Sequence, residues 1–244
     1  MPEPQYAPLL SLRGVNTHIG QYHILQGVDF VVPEKQLVML LGRNGAGKTT
    51  CLRTIMGLWR ASAGSIRYRN QEIQKLKTPD ISRLGIAYVP ENMGIFAGLT
   101  VRENLLLAAR ERAPEAKRLE RIFGLFPALK KFWHTHAGNL SGGQKQMLAV
   151  ARAIVEPREL LLVDEPTKGL APAIIAAMID AFRELKRDAT LLVVEQNFHF
   201  ARSLGDAAVV MDSGRIVHAG AMDALAADES LQRRLLGLSL EAHQ

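Results

Sequence analysis

The octapeptide Gly42-Arg43-Asn44-Gly45-Ala46-Gly47-Lys48-Thr49 fits the pattern G-x-x-x-x-G-K-[ST]. Few local patterns constrain a fold as much. Glycines let the chain curl so that backbone N–H groups point at phosphate oxygens. The lysine is then placed against the β- and γ-phosphates of a nucleotide, and the Thr49 hydroxyl can ligate Mg²⁺. The apolar run Leu37–Leu41 before it reads as a strand, and Thr49–Leu58 after it reads as a helix whose positive N-terminal end favours an anion. Gly42 through Thr49, together with Thr50, form the candidate phosphate-contacting set. Cys51 follows inside the helix and reads as a small buried residue.

A second carboxylate site lies downstream. Leu160-Leu161-Leu162-Val163 is an apolar strand that ends in Asp164-Glu165-Pro166. Open α/β sheets place ligands at strand ends. Asp164 suits a metal held through water. Glu165 suits a base that polarises an attacking water in line with the γ-phosphate.

The remaining organisation supports an α/β chain. Leu37–Leu41, Leu160–Val163 and Leu191–Val194 are short continuous apolar runs, as in parallel strands covered on both faces. Leu9–Val15, Val28–Val32 and Ile66–Tyr68 alternate more and suggest a small antiparallel sheet. From about Val101 to Val155 helix signals dominate. Thr100 caps a helix from Val101, with Glu103 in its first turn, and Ser141 caps a second. Met147, Ala151, Ile154 and Val155 share one face of that second helix, and Pro157 lies beyond it.

Composition excludes several classes. One cysteine cannot form an internal disulfide, which favours a reducing compartment. The opening MPEPQYAP has no apolar leader segment and reads as a loose tail over residues 1–8. No apolar run reaches the ~20 residues of a spanning helix. The net charge of +6 reads as scattered solvated Lys and Arg. In the densest basic stretch, Arg110 to Lys131, glutamates are interleaved, as on exposed helix faces and unlike a nucleic-acid patch.

Leu140-Ser141-Gly142-Gly143-Gln144 opens a helix about twenty residues before Asp164. In this order and spacing the chain resembles the ABC transporter ATPase family, from about Leu9 to Leu238. The resemblance implies a P-loop NTPase (RecA-like) core with a small antiparallel β subdomain and an inserted helical subdomain. The nucleotide-binding core spans 9–90 and 157–240, and the helical part 91–156. It implies ATP and Mg²⁺ as cofactors, with Thr49, Asp164 and Glu91 around the metal and Lys48, Glu165 and Gln196 in catalysis. It also implies that Ser141, Gly142, Gly143 and Gln144 close in trans on ATP held by a second ABC ATPase subunit.

Three positions depart from the common family pattern. Tyr88-Val89-Pro90-Glu91 places Glu91 where Gln is usual. Val194-Glu195-Gln196-Asn197 places Gln196 where a switch His is usual, and Gln cannot carry a proton. Gly169-Leu170-Ala171-Pro172 ends in Pro172, where Asp is frequent. The position of the adenine-stacking aromatic holds Ile19, with His18 and Tyr22 as neighbouring alternatives. GRNGAGKTT, YVPEN, GLAP and VEQN together resemble the second ATP-binding subunit of branched-chain amino acid importers, the LivF type, whose closing helix Leu231–Leu238 also resembles. Importers for urea or short amides share much of this pattern.

The expected partners are therefore a second ATPase subunit and integral membrane permease subunits, with a solute-binding protein acting indirectly. No direct nucleic-acid contact is expected. The expected location is peripheral, on the cytoplasmic side of the bacterial inner membrane. Phe96 and Leu99 are apolar candidates for touching a permease helix. Two other readings fit less: a soluble ABC ATPase on nucleic acid or ribosomes, and a P-loop kinase, which leaves LSGGQ unexplained.

Overall fold

The computed structural model describes residues 8–109 and 114–237. In chain order its elements are β1 (Pro8–Ile19), β2 (Tyr22–Pro33), β3 (Leu37–Leu41), α1 (Lys48–Ile55), β4 (Ala61–Tyr68), β5 (Gln71–Glu72), α2 (Thr78–Arg83) and β6 (Ile86–Val89). Helices α3 (Val101–Ala108), α4 (Ala116–Leu125), α5 (Pro127–Lys131) and α6 (Gly142–Ile154) follow. The chain then runs through β7 (Leu160–Asp164), α7 (Pro172–Leu185), β8 (Thr190–Glu195), α8 (Phe198–Leu204), β9 (Ala207–Asp212), β10 (Arg215–Ala221), α9 (Met222–Ala227) and α10 (Glu229–Leu236).

Two sheets form. The first is antiparallel, in the order β2-β1-β4-β5. The second has the order β10-β9-β3-β8-β7-β6, parallel throughout except for the edge strand β10. This is the α/β architecture that the phosphate loop requires. The continuous apolar runs do become strands buried on both faces. Met39, Leu41, Leu161, Val163, Leu191 and Val193 face one core, with α6, α7 and α8. Val38, Leu40, Leu160, Leu162, Leu192 and Val194 face the other, with α1 and the antiparallel sheet. The period of two along each strand divides the residues between the two layers. Phe182 and Phe200 meet edge to face at 5.6 Å in the first core, a geometry aromatic pairs favour.

The structure corrects some boundaries. Pro8, read as tail, opens β1; residues 1–7 lie outside the described set. Strands β1, β2 and β4 extend well beyond the alternating runs. β1 is kinked by register shifts between Leu12 and Thr17 that break the period-two signal. The strands β5, β6, β9 and β10 have no counterpart in the sequence reading. β9 and β10 form a hairpin around Ser213-Gly214, both at positive φ, as tight hairpin turns require. The closing helix ends at Leu236, and Leu238 lies outside the described residues.

Between Val101 and Ile154 the named elements are all helical. Thr100 caps α3 through a full capping box: its side chain accepts from Glu103 N, and Glu103 accepts from Thr100 N at 2.7 Å. Ser141 does the same for α6 with Gln144. The pattern S/T-x-x-E/Q carries both, since each side chain satisfies an orphan N–H of the other residue.

Strand pairing positions the site. Leu41 pairs with Glu195 across β3–β8, and Asp164 pairs with Val194 across β7–β8. The C-terminal ends of three adjacent strands therefore bring Gly42, Asp164–Glu165 and Glu195–Gln196 to one edge. β3 lies where chain order reverses, with later strands on both sides, which is the usual place for a ligand crevice.

Candidate active site

The phosphate loop leaves β3 at Gly42 with φ +147°. A Cβ there would lie 2.2 Å from the Met211 carbonyl oxygen of β9, so only glycine fits this close approach. The loop is also pinned from outside. Gly214 N, in the β9–β10 turn, donates to Ala46 O at 2.9 Å, and Gly214 O accepts from Gln26 N of β2 at 2.9 Å. Gly47 caps α1, whose first residue is Lys48.

A cleft of about 320 Å³ opens beside this loop. Asn44 to Thr50 line it, with Ile24, Glu91, Glu165 and Lys168. Gly42 and Arg43 line an adjoining cavity with Glu195 and Gln196. Lys48 is buried, and its Nζ donates to Gly42 O at 2.8 Å and to Arg43 O at 3.0 Å. It stands 4.0 Å from Glu165. Burial holds its pKa below the usual lysine range, opposed by the nearby Glu165, Asp164, Glu195 and Glu91 carboxylates.

Asp164 is fully buried. Its Oδ1 accepts from the Thr49 hydroxyl at 3.0 Å, and its Oδ2 from the Tyr88 hydroxyl at 3.1 Å. Burial pushes its carboxyl up, against the pull of these two donors. Glu165 sits at φ +48°, a left-handed conformation uncommon outside glycine. Its N–H donates to Val194 O at 2.9 Å, which fixes that backbone. Gln196 Nε2 lies 2.5 Å from Glu165 Oε1 and 2.7 Å from Asn44 Oδ1. One amide thus joins the loops after β3, β7 and β8.

Glu91 reaches the same cleft, but its Oε1 accepts from Lys168 Nζ at 2.5 Å. Lys168 also lies 3.5 Å from Glu165. Both acids hold the lysine pKa above its ordinary range, the Glu91 hydrogen bond most. Thr49 and Asp164 offer oxygen donors already in contact, the chemistry a hard cation such as Mg²⁺ needs. Among the described residues no cluster of three His, Cys, Asp or Glu is gathered as a cage. A cation completed by phosphate oxygens and water fits this donor set; a closed protein site does not.

The other predicted residues lie elsewhere. Ile19 is half-buried at the end of β1 and does not line the cleft; Ile24 does. His18 stacks on His23 at 4.2 Å and Tyr22 is exposed. Ser141 and Gly142 are exposed at the tip of α6, and none of Ser141–Gln144 lines the cleft of its own chain. Gln144 spends its side-chain oxygen on the Ser141 N–H at 2.9 Å. Cys51 is buried, and burial pushes its thiol up to about 12, which makes it inert.

Sequence reading assigned no role to Tyr88, Lys168 or Glu195. Lys168 carried a signal, three residues after Glu165. Glu195 carried one too: a charge ending an otherwise apolar buried run. Tyr88 carried none, because its hydroxyl contact with Asp164 depends on the β6–β7 register.

Residues 25–168 match the ABC transporter family. The chain belongs to that family. It is 41% identical over 212 residues to the high-affinity branched-chain amino acid transport ATP-binding protein BraG of Pseudomonas aeruginosa, covering 86% of this chain and 91% of that protein. It is 36% identical over 233 residues to the probable branched-chain amino acid transport ATP-binding protein LivF of Archaeoglobus fulgidus, covering 93% and 99%. Among solved structures, an ATP-binding subunit of an ABC transporter superposes with a TM-score of 0.78 at 28% identity, covering 96% of each chain. No helix among the described residues is long and apolar enough to cross a membrane.

Proposed function

We propose that this chain is the ATP-hydrolysing subunit of an ABC importer for branched-chain or other hydrophobic amino acids. The relatives support the cargo class, and the site supports the chemistry. One observation carries the chemistry: Gln196 joins Asn44 of the phosphate loop to Glu165 within hydrogen-bond distance of both.

Lys48 would hold the β- and γ-phosphates, with the backbone from Gly42 to Thr50 around them. Thr49 and Asp164 would hold Mg²⁺, and Glu91 would join them once released from Lys168. The metal supplies charge neutralisation across the phosphate oxygens. Glu165 orients and polarises the attacking water. Gln196 donates to Glu165 and holds it beside the phosphate loop. The stacking position for adenine falls to the β1–β2 region around Ile19 and Ile24.

Ser141, Gly142, Gly143 and Gln144 would seal the nucleotide of a second ABC ATPase subunit. The exposure of Ser141 and Gly142, and the absence of all four from the lining of their own cleft, support action in trans. The core would comprise residues 9–90 and 157–240, and the helical part 91–156. Between them lies a groove of about 330 Å³ lined by Tyr88, Pro90, Met93, Gly94, Arg152 and Arg158, among others. A permease helix would dock there; Phe96, half-exposed and stacked under the Arg152 guanidinium at 4.9 Å, borders it. The chain would act peripherally, on the cytoplasmic face of the membrane, with Mg²⁺, permease subunits and, indirectly, a solute-binding protein.

Glu165→Gln tests the reading. Hydrolysis should fall at least ~100-fold, the contribution of a positioned base, while ATP binding persists and size-exclusion chromatography shows an ATP-stabilised dimer. Wild-type hydrolysis by this variant would remove Glu165 from the reaction.

A further inference from the structure

Glu195 has no part in the chemistry above, yet it is the most heavily hydrogen-bonded carboxylate at the site. It ends β8 and is 2% exposed. Oε1 accepts from Thr167 N at 3.0 Å and from Thr167 Oγ1 at 2.7 Å. Oε2 accepts from Gln196 N at 2.9 Å and from Asn197 N at 3.0 Å. Thr167 lies two residues past Glu165, on the loop after β7. Gln196 and Asn197 lie on the loop after β8.

We infer that Glu195 is a positioning residue: one buried carboxylate clamps the loop carrying Glu165 to the loop carrying Gln196, and so sets the Asn44–Gln196–Glu165 hydrogen-bond chain in register for hydrolysis. This rests on the ATPase reading.

The residue type supports the inference. Burial of a carboxylate is unfavourable, and the four residues before it in the strand, Leu191 to Val194, are all aliphatic. Burial raises the Glu195 carboxyl, and the donors from Thr167, Asn197 and Gln196 oppose it. All four partners are donors in this geometry, so only an acceptor at both ends fits. A glutamine has one oxygen and one NH₂ group. Either flip leaves a backbone N–H, of Thr167 or of the Gln196–Asn197 pair, facing another donor. The bridge is then broken on one side while the volume is kept. Asn197 also caps α8 by accepting from Phe200 N at 3.0 Å, so the far end of the clamp is itself anchored.

The test is steady-state ATP hydrolysis by the full chain with Mg²⁺, for Glu195→Gln, Thr167→Val and the double variant, with Glu165→Gln as control. For Glu195→Gln, kcat should fall ~10-fold with KM for ATP within about twofold of wild type, because small misplacement of a catalytic group costs rate more than binding. Thr167→Val, which keeps the backbone bond, should lower kcat by roughly threefold, and the double variant should be no slower than Glu195→Gln alone. Wild-type kcat in Glu195→Gln, losses that multiply in the double variant, or a change confined to KM would each overturn the inference. If Glu195→Gln does not fold, Thr167→Val decides: an unchanged kcat overturns it. Full hydrolysis by the Glu165→Gln control would instead remove Glu165 from the reaction, and no hydrolysis by the wild-type chain would defeat the ATPase reading itself.

Discussion

The phosphate-loop cleft and the α6 tip, the two regions proposed to meet a nucleotide, are built by opposite means. The cleft is charged and desolvated: Lys48, Asp164, Glu165 and Glu195 are all buried. Its polar groups are joined across three loops. The tip is uncharged from Ser141 to Gln144, exposed at Ser141 and Gly142, and the Ser141 and Gln144 side chains each accept from the other's backbone N–H. The contrast separates two tasks. The cleft must hold a triphosphate against competing water, so its electrostatics are strengthened by burial. On the proposed function the tip comes and goes, and it offers the positive end of a helix to an anion.

The largest effect should come from the cleft. Lys48→Ala removes the cation proposed to meet two phosphates, and ATP affinity by titration calorimetry should drop at least ~100-fold. Affinity near wild type would end the distinction between the two regions. At the tip, Ser141→Ala should leave ATP affinity of the single chain unchanged and slow hydrolysis ~10-fold, the loss of about one hydrogen bond in the closed state. It also removes the α6 cap, so Tm by calorimetry should fall by ~2–4 °C. A loss of single-chain affinity would show that the tip serves its own cleft.

The smallest effect is one of stability. Asp164 is buried with a raised pKa, so its ionised form is disfavoured in the folded chain. A carboxyl raised on folding stabilises below its unfolded pKa, and that stability is lost as pH rises through the folded value. At neutral pH, Asp164→Asn removes this cost, and Asn can still accept from Thr49 and donate to the Tyr88 oxygen. Without nucleotide or metal, Tm should rise by ~2–4 °C while hydrolysis is lost. A fall in Tm would show that the carboxylate is held by more than its two hydroxyl donors.

Legibility from sequence followed the same divide. Features that depend on neighbours along the chain were readable. The phosphate loop, the acids ending β7 and the caps at Thr100 and Ser141 are local patterns, and so are the three buried strands. Features set by neighbours across the sheet were not. β6, with four residues, is too short to show a period, and β9 needs β3 beside it to read as a parallel strand. The pairings of Glu91 with Lys168 and of Glu195 with Thr167 arise only when the ends of β6, β7 and β8 are aligned. The Ile19 assignment rests on analogy to an aromatic that this chain lacks there, and the contact of Ile24, across the β1–β2 turn, with the phosphate-loop cleft shows only in the fold.

The peptide at Gly214 has a mechanical corollary. The residue's N–H donates to the phosphate loop and its C=O accepts from β2, so two consecutive peptide planes link the parallel sheet's hairpin, the antiparallel sheet and the phosphate loop. A tilt of one sheet on the other would strain the Gln26–Gly214 bond, the Gly214–Ala46 bond, or both. The small sheet is thereby coupled, through one residue, to the loop proposed to seat the triphosphate.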